Sequence, residues 1–348
     1  MREKYMQRAI ELAHLGSGWV APNPMVGCVI VHQDKIIGEG WHQQFGAAHA
    51  EVNALMNVQE KHLLHQSTMY VTLEPCSHYG KTPPCSLAII EHKIPKVVIG
   101  STDPHPLVAG KGIALLKEAG IEVIEHVLEQ ECMLLNKRFF YFHQQQKPYV
   151  ILKWAETADG FIGPELENNP LFEEQSVISN ATVNLLTHRW RTEEQAIMIG
   201  TNTAIADNPQ LTARHWPGKN PTRIVLDLKG RVPANHHIFN AEAPTLLITA
   251  NQTSIQLQEH IQVIRIDSDK GIAEQILATL YQAQILSVII EGGTALLQTF
   301  IDSGLWNEAR VIRASHQLVK GVKAPKLIAS INESFTLDNN TITIYQPA

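Results

Sequence analysis

Between residues 3 and 15 apolar side chains recur at helical spacing, with Met6, Ala9, Ile10 and Ala13 on one face, and Gly16 follows as a C-terminal cap. The period then changes. After the turn-rich GSGWVAPNP come two short apolar runs, MVGCVIV and KIIGEGWH, about the polar HQD, which predicts a β-hairpin. HAEVNALMNV goes back to a helical pattern, TMYVTLEP reads as a buried strand, CSLAIIEHK as a helix and PKVVIGSTDP as a strand. GKGIALLKEAG and IEVIEHVL predict one more helix and strand, and a single helix rich in large side chains is expected from Leu128 to Phe142. Helices and strands alternating at this spacing imply an α/β layered sheet.

A polar HQQQKP closed by proline ends this series and places a domain boundary near residue 146, giving domains 1–145 and 146–348. Beyond it PYVILKWAETADG, QAIMIGTNT, PTRIVLD, PTLLITA, IQVIRID and LSVIIEGG are short apolar strands separated by helical or turn-like segments. They predict a second α/β domain without internal repeats.

Composition agrees with two domains, since 348 residues at 44% hydrophobic exceed what one core usually serves. No apolar run approaches the roughly 20 residues of a spanning helix, and the N-terminus reads as an amphipathic helix without a signal core. A soluble cytoplasmic protein, with no membrane partner, is the expectation. A net charge of −6 and a pI near 6.3 argue against nucleic-acid binding and for a small-molecule partner. Four cysteines in so long a chain form no disulfide framework and are expected as thiols.

Three of the residues able to bind metal are spaced for a catalytic zinc site. His49 opens the HAE helix, and Cys76 and Cys85 each follow proline, so one imidazole and two thiolates balance a Zn²⁺ and leave its fourth position to water. Cys85 follows two prolines and begins a helix, where unpaired amides favour a thiolate. Glu51 lies two positions from His49, so on a regular helix the two point apart. That suits Glu51 as a non-ligand proton shuttle. Together they match the H-x-E and P-C-x-x-C signature of zinc-dependent nucleobase deaminases, except that eight residues, SHYGKTPP, separate the cysteines. That insert carries His78 and Lys81, a pair suited to a phosphate or a ring oxygen. A structural zinc module would close the site with a fourth ligand, and no fourth is convincing. Cys28, in an apolar strand, and Cys132, on an apolar helix, read as buried thiols.

In the second domain no G-x-G-x-x-G follows a strand, so a Rossmann dinucleotide site is unsupported. IMIGTNT and VIIEGGTALLQTF each run from a strand into a glycine and threonine turn, an arrangement compatible with a diphosphate or with an ordinary strand-to-helix turn.

PNPMVGCVIV, GEGWHQQFGAAHAE, LEPCSHYGKTPPC and DPHPLVAGKG resemble the deaminase half of the bifunctional riboflavin-biosynthesis enzymes, in which a diaminohydroxyphosphoribosylaminopyrimidine deaminase is fused to a 5-amino-6-(5-phosphoribosylamino)uracil reductase. LKWAETADG, RTEEQAIMIGTNTAIADNPQLTAR, PTRIVLD and EGGTALLQTF resemble the reductase half. The resemblance implies a cytidine-deaminase-like three-layer α/β/α domain followed by a dihydrofolate-reductase-like α/β domain. It also implies one zinc per chain, NADPH and a pyrimidine ribonucleotide substrate; a homo-oligomer is the expectation for the assembly. Asn23, His42, His78, Lys81 and Asp103 are then deaminase substrate residues, and Gln175, Arg191, Leu211, Arg214 and Glu291 reductase substrate residues. Ala155, Val177, Thr203, Asp207, Gly292 and Gly293 are implied to hold NADPH. Arg191 and Arg214 suit a phosphate clamp. Lys153 and Asp207 both stand as candidates to polarise and protonate the sugar. Departures from the family fall at His105, usually asparagine, at Gln175 and Val177 in place of a serine and a tryptophan, and at Asn208 in place of an acid. A nucleoside or nucleic-acid base deaminase with a degenerate C-terminal domain is the alternative.

Overall fold

The computed structural model describes residues 2–77, 79, 83–106, 108–164, 178–252, 255 and 258–348. The chain forms two compact units, Met1–Gln146 and Lys147–Ala348.

In the first unit α1 (Arg2–His14) precedes a hairpin of β1 (Gly27–His32) and β2 (Lys35–Trp41). Gln33 and Asp34 turn it with φ of 46° and 61°, the left-handed pair that matches strand twist in a two-residue hairpin. Then follow α2 (Ala50–Asn57), β3 (Thr68–Leu73), α3 (Cys85–Glu91), β4 (Lys96–Ser101), α4 (Lys111–Glu118), β5 (Glu122–Ile124), α5 (Glu129–Leu135) and α6 (Lys137–Gln145). The sheet order is β2-β1-β3-β4-β5, antiparallel through β1 and parallel from β3 onward. Alternate residues serve opposite faces, as the pleat requires. Cys28, Ile30, Met69, Val71, Val97 and Ile99 pack with α2, α3 and α4. Val29, Val31, Tyr70 and Val98 meet α1 and Cys132 of α5. The result is the expected three-layer α/β/α arrangement, with both non-ligand cysteines buried.

Two local expectations are corrected. Gly16 is not a left-handed cap; Gly18 takes that conformation, with φ of 79°, while a side chain on Gly16 would meet the His42 carbonyl at 2.6 Å. The single helix expected over Leu128 to Phe142 is two helices broken at Asn136. The Asn136 amide accepts from the Met25 N–H and donates to the Met25 carbonyl, both at 2.8 Å, and this long-range pairing ends α5.

The second unit runs β6 (Tyr149–Glu156), β7 (Phe161–Gly163), α7 (Ala181–Glu193), β8 (Ala196–Gly200), α8 (Thr201–Asp207), β9 (Thr222–Leu226), β10 (Thr245–Thr249) and β11 (Ile261–Arg265). It continues with α9 (Ile272–Gln282), β12 (Ser287–Glu291), α10 (Thr294–Asp302), β13 (Glu308–Ala314), β14 (Val322–Lys323), β15 (Ser330–Leu337) and β16 (Asn340–Gln346). A nine-stranded sheet has the order β11-β10-β9-β8-β12-β6-β13-β16-β15. It is parallel up to β13, and its last pairings, β13 with β16 and β16 with β15, are antiparallel. The β7–β14 pair stands apart from it. One sheet face, with Val150, Leu152, Trp154, Met198, Val288, Ile290 and Val311, packs on α9 and α10. The other carries Lys153 of β6, Glu291 of β12 and Glu308 and Arg310 of β13, and α7 lies against it through Arg191, which bonds Glu291, and Trp190, which packs on Arg310.

The strands the sequence reading omits are β13, β15 and β16, and β7 with β14. In β13, Glu308 and Arg310 interrupt the apolar run, yet both are buried and bonded to each other at 2.6 Å. Edge strand β15 is exposed and polar along most of its length. Among the described residues no helix is long and apolar enough to cross a membrane.

Candidate active sites

In the first unit the site lies where β3 and β4, parallel neighbours, end and their chains diverge. His49 caps α2 in extended conformation, Cys85 is the first residue of α3, and Cys76 follows β3 by way of Pro75. The proline before Cys85 lacks an N–H, which a helix start does not need. The Cys76 carbonyl accepts from the Ser86 N–H at 3.2 Å and from the Ser86 hydroxyl at 3.0 Å, so the Cys76 loop is tied to the first turn of α3.

The ligand atoms of His49, Cys76 and Cys85 all lie within 4.8 Å of one another. His49 Nδ1 stands 3.7 Å from Cys76 Sγ and 3.3 Å from Cys85 Sγ. A tetrahedral zinc, with bonds of about 2.3 Å to sulfur and about 2.1 Å to nitrogen, separates those atoms by about 3.6 Å. The residues present therefore fit zinc. The electrostatics agree. The Cys76 thiol is drawn down by its hydrogen bond with Cys85, with His49 and the Cys85 backbone N–H adding to it, and the Cys85 N–H donates to Cys76 Sγ at 3.3 Å. His49 is pushed up by its bond to Cys76.

Glu51 is 3% exposed, in the first turn of α2. Burial first, then the Cys76 charge, pushes its carboxyl up to about 7, and it hydrogen-bonds Cys85. It thus stands beside the ligand set with a proton affinity matched to neutral solution, outside the three-residue ligand group. Asn23 and His42 are brought together. The Asn23 amide donates to His42 Nε2 at 3.1 Å, while Nδ1–H donates to the Ala48 carbonyl at 3.1 Å, a pairing that assigns the tautomer. The His42 ring meets His49 edge-on at 5.3 Å. Asp103 is buried, and its Oδ1 accepts from the His105 N–H at 2.7 Å. The His105 ring packs edge-on against His143 of α6 at 4.7 Å. His78 and Lys81 lie outside the described residues.

In the second unit Lys153 of β6 and Glu291 of β12 are register partners on adjacent parallel strands, with Nζ 3.9 Å from Oε2. Arg191 of α7 reaches the same carboxylate with two bonds, Nη2 to Oε2 at 2.8 Å and Nε to Oε1 at 3.3 Å, and donates to the Thr212 carbonyl. Burial alone would raise the Glu291 carboxyl, but Arg191 and Lys153 overcome it and hold the group at about 2. Burial lowers the Lys153 ammonium, Glu291 opposing it. The guanidinium of Arg191 is therefore committed to a carboxylate, whereas Arg214, directly after the Leu211–Ala213 segment, is exposed. Leu211 is buried with φ of 55°.

Ala155 follows Lys153 by two residues, on the same face of β6. Gly292 and Gly293 have φ of 76° and 57° and open α10. A Cβ on Gly292 would lie 2.7 Å from Thr203 Cγ2, so this turn and Thr203 form a cradle that only glycine leaves open. Such a cradle at a helix N-terminus fits the diphosphate of NADPH. Asp207 ends α8 on the surface, and no ion pair to the Lys153 group is found among the described residues. Asn208 takes the left-handed position after α8, with φ of 40°, and accepts from the His237 N–H at 2.7 Å, a role asparagine fills readily. Gln175 and Val177 lie outside the described residues.

Sequence reasoning misses two neighbours of these sites. Glu74, directly after β3, turns inward and is 4% exposed. His188 of α7 packs edge-on against His215 at 4.6 Å, next to Arg214 in the chain. A strand-end glutamate and a helix histidine carry no distinguishing signal before the fold is known.

The comparisons agree with this geometry. Residues 1–101 match the cytidine and deoxycytidylate deaminase zinc-binding region, and residues 148–329 the RibD C-terminal domain. The chain is 40% identical over 328 residues to the riboflavin biosynthesis protein RibD of Actinobacillus pleuropneumoniae, covering 92% of this chain and 85% of that one. It is 40% identical over 339 residues to RibD of Aquifex aeolicus, covering 95% and 92%. Among solved structures it resembles the diaminohydroxyphosphoribosylaminopyrimidine deaminase/5-amino-6-(5-phosphoribosylamino)uracil reductase of Thermotoga maritima, with TM-score 0.89, 34% identity and coverage of 100% and 99%. RibD of Acinetobacter baumannii matches with TM-score 0.87, 34% identity and the same coverage. With both halves matched and relatives covered over most of their length, the chain belongs to the RibD family of riboflavin biosynthesis proteins.

Proposed function

We propose that the chain is a bifunctional enzyme of riboflavin synthesis that uses zinc and NADPH. Residues 1–145 deaminate 2,5-diamino-6-(5-phosphoribosylamino)pyrimidin-4(3H)-one by hydrolysis, and residues 146–348 then reduce the ribosyl group of the product to ribityl. The observation that carries the first step is the convergence of His49, Cys76 and Cys85 with buried Glu51 beside them.

His49, Cys76 and Cys85 hold the zinc. When bound, the metal supplies activation of water at neutral pH. Glu51 carries one proton of the attacking water to the ring nitrogen and the other to the departing amine, so that the carbon–nitrogen bond breaks, ammonia leaves and the oxygen stays on the ring as a carbonyl. His42, held in one tautomer by Asn23 and Ala48, lines the pyrimidine site with its ring in a fixed orientation. Asp103, His78 and Lys81 complete the substrate contacts.

In the second unit the Gly292–Gly293 turn and Thr203 take the NADPH diphosphate, with Ala155 and Asp207 as further cofactor contacts. When bound, NADPH supplies the hydride that reaches the sugar C1. Lys153, oriented by Glu291, polarises and protonates the sugar oxygen, and Arg214 takes the substrate phosphate, with Arg191 holding Glu291 in place. The match of residues 148–329 to the RibD C-terminal domain supports a working reductase over a degenerate domain. The acidic balance of the chain supports a small-molecule substrate and no nucleic-acid partner. We place the enzyme in the cytoplasm as a homo-oligomer.

Metal removal tests this reading. A purified sample is expected to carry about one zinc per chain. Dialysis against a chelator is expected to abolish ammonia release while NADPH oxidation with the deaminated nucleotide continues, and added zinc to restore the first activity. Full ammonia release from metal-free enzyme would overturn the assignment.

A further inference from the structure

The segment from Asp103 to Ile113 joins β4 to α4 and carries Asp103, a substrate residue in the reading above. Its backbone donors divide into two sets. His105 N–H is taken by the Asp103 side chain, and Val108 and Ala109 N–H by the His105 carbonyl, so the turn holds its own shape. Lys111 N–H goes to the Val108 carbonyl. Pro104 and Pro106 have no N–H to satisfy. Four other donors converge on one side chain. Glu74 Oε2 accepts from Asp103 N–H at 3.3 Å and Gly110 N–H at 3.0 Å, and Oε1 accepts from Gly112 N–H at 2.9 Å and Ile113 N–H at 3.3 Å.

Glu74 therefore does for α4 what a capping side chain normally does from within the helix, but from another strand and with a full charge facing the first-turn amides. Its backbone is equally placed. Glu74 N–H donates to the Ser101 carbonyl at 2.9 Å, beside the Leu73 and Ser101 register pair where β3 and β4 part. Pro75 and the ligand Cys76 come next in the chain. The contact is tight, since a Cβ on Gly112 would lie 1.9 Å from the Pro75 carbonyl oxygen. One carboxylate thus clamps the chain leaving β4 toward Asp103 onto the chain leaving β3 toward Cys76.

We infer that Glu74 is a positioning residue of the deaminase site, setting Asp103 at a fixed place relative to the metal-ligand loop so that the ribonucleotide is bound in register with Glu51. The inference rests on the deaminase reading above. Glutamine at this position keeps the shape but turns an NH₂ toward backbone donors, so at least one oxygen's pair of bonds is lost.

The test compares the parent chain with Glu74→Gln, Asp103→Asn and the double variant, following ammonia release across substrate concentrations. Glu74→Gln removes a charge-assisted pair of hydrogen bonds from the Asp103 segment and is expected to raise the deaminase KM by about tenfold or more. Zinc content and NADPH oxidation with the deaminated nucleotide are expected to be unchanged, which separates positioning from misfolding. Because Glu74 acts through Asp103, the double variant is expected to be little worse than Asp103→Asn alone. An unchanged KM, loss of zinc, or additive effects would each overturn the inference. If Glu74→Gln does not fold, Glu74→Asp keeps the charge but is one methylene too short to span Asp103 and Gly112 together. The same KM rise is expected of it, and parent-like KM would refute the role. Absence of ammonia release in the parent chain would instead refute the deaminase reading on which this rests.

Discussion

Glu51→Gln is expected to lower the turnover of ammonia release by about 10²- to 10⁴-fold, the usual worth of a positioned general acid and base. Glutamine occupies the same volume in the first turn of α2 but cannot take the proton from water or hand it on. The carboxyl is buried and already pushed up to about 7, so a neutral isostere costs the fold little. The zinc ligands are untouched, and metal content is expected to stay at the parent value, as is NADPH oxidation in the second unit. Atomic absorption and the two activity assays on one preparation check this. Loss of zinc together with activity would mean that Glu51 serves the ligand set and not the proton.

The second large effect is on stability. Glu291 lies between Arg191 and Lys153, and the three side chains are 10%, 13% and 12% exposed, so Glu291→Leu leaves two nearly buried cations without their shared partner. Breaking a buried ion pair from one side costs about 3–5 kcal/mol. For a unit of this size that corresponds to a fall in melting temperature of roughly 6–20 °C. The transition of the second unit is expected to move and ammonia release by the first to persist. The sign with pH follows from the same group. Its folded-state value near 2 lies below the ordinary 4.5, so the carboxylate's stabilisation is complete above 4.5 and is lost as pH falls toward 2. The parent's stability is expected to fall with acid across that window, and the variant to lack that component. A parent-like melting temperature for Glu291→Leu would show that the cluster carries no net stability.

Much of the first site was legible because its chemistry restricts residue type so sharply. A histidine opening a helix and two prolyl cysteines leave few uses other than a three-ligand metal, and the fold brings all three together. The α/β layering was legible because central strands such as Ile197–Ile199 and Val288–Ile290 are buried on both faces and read as continuous apolar runs. What stayed hidden depended on partners distant in the chain. The break at Asn136 exists because its amide pairs with Met25, and β13 hides because Glu308 and Arg310, charged in the sequence, are buried and bonded to each other inside the protein. Arg191 reads from sequence as half of a phosphate clamp, and the fold gives its fork to Glu291, a hundred residues away. Glu74 is the same case, since its four bonds all reach donors beyond position 100.

The central claim, two successive chemistries on one chain, is tested most directly by supplying the diaminopyrimidine ribonucleotide with and without NADPH and following ammonia and NADPH absorbance together. Ammonia is expected in both cases, and with NADPH present its oxidation is expected to lag behind ammonia and reach the same final amount. Ammonia release without any NADPH consumption would contradict the reductase assignment, and NADPH consumption without ammonia would contradict the order of the two steps.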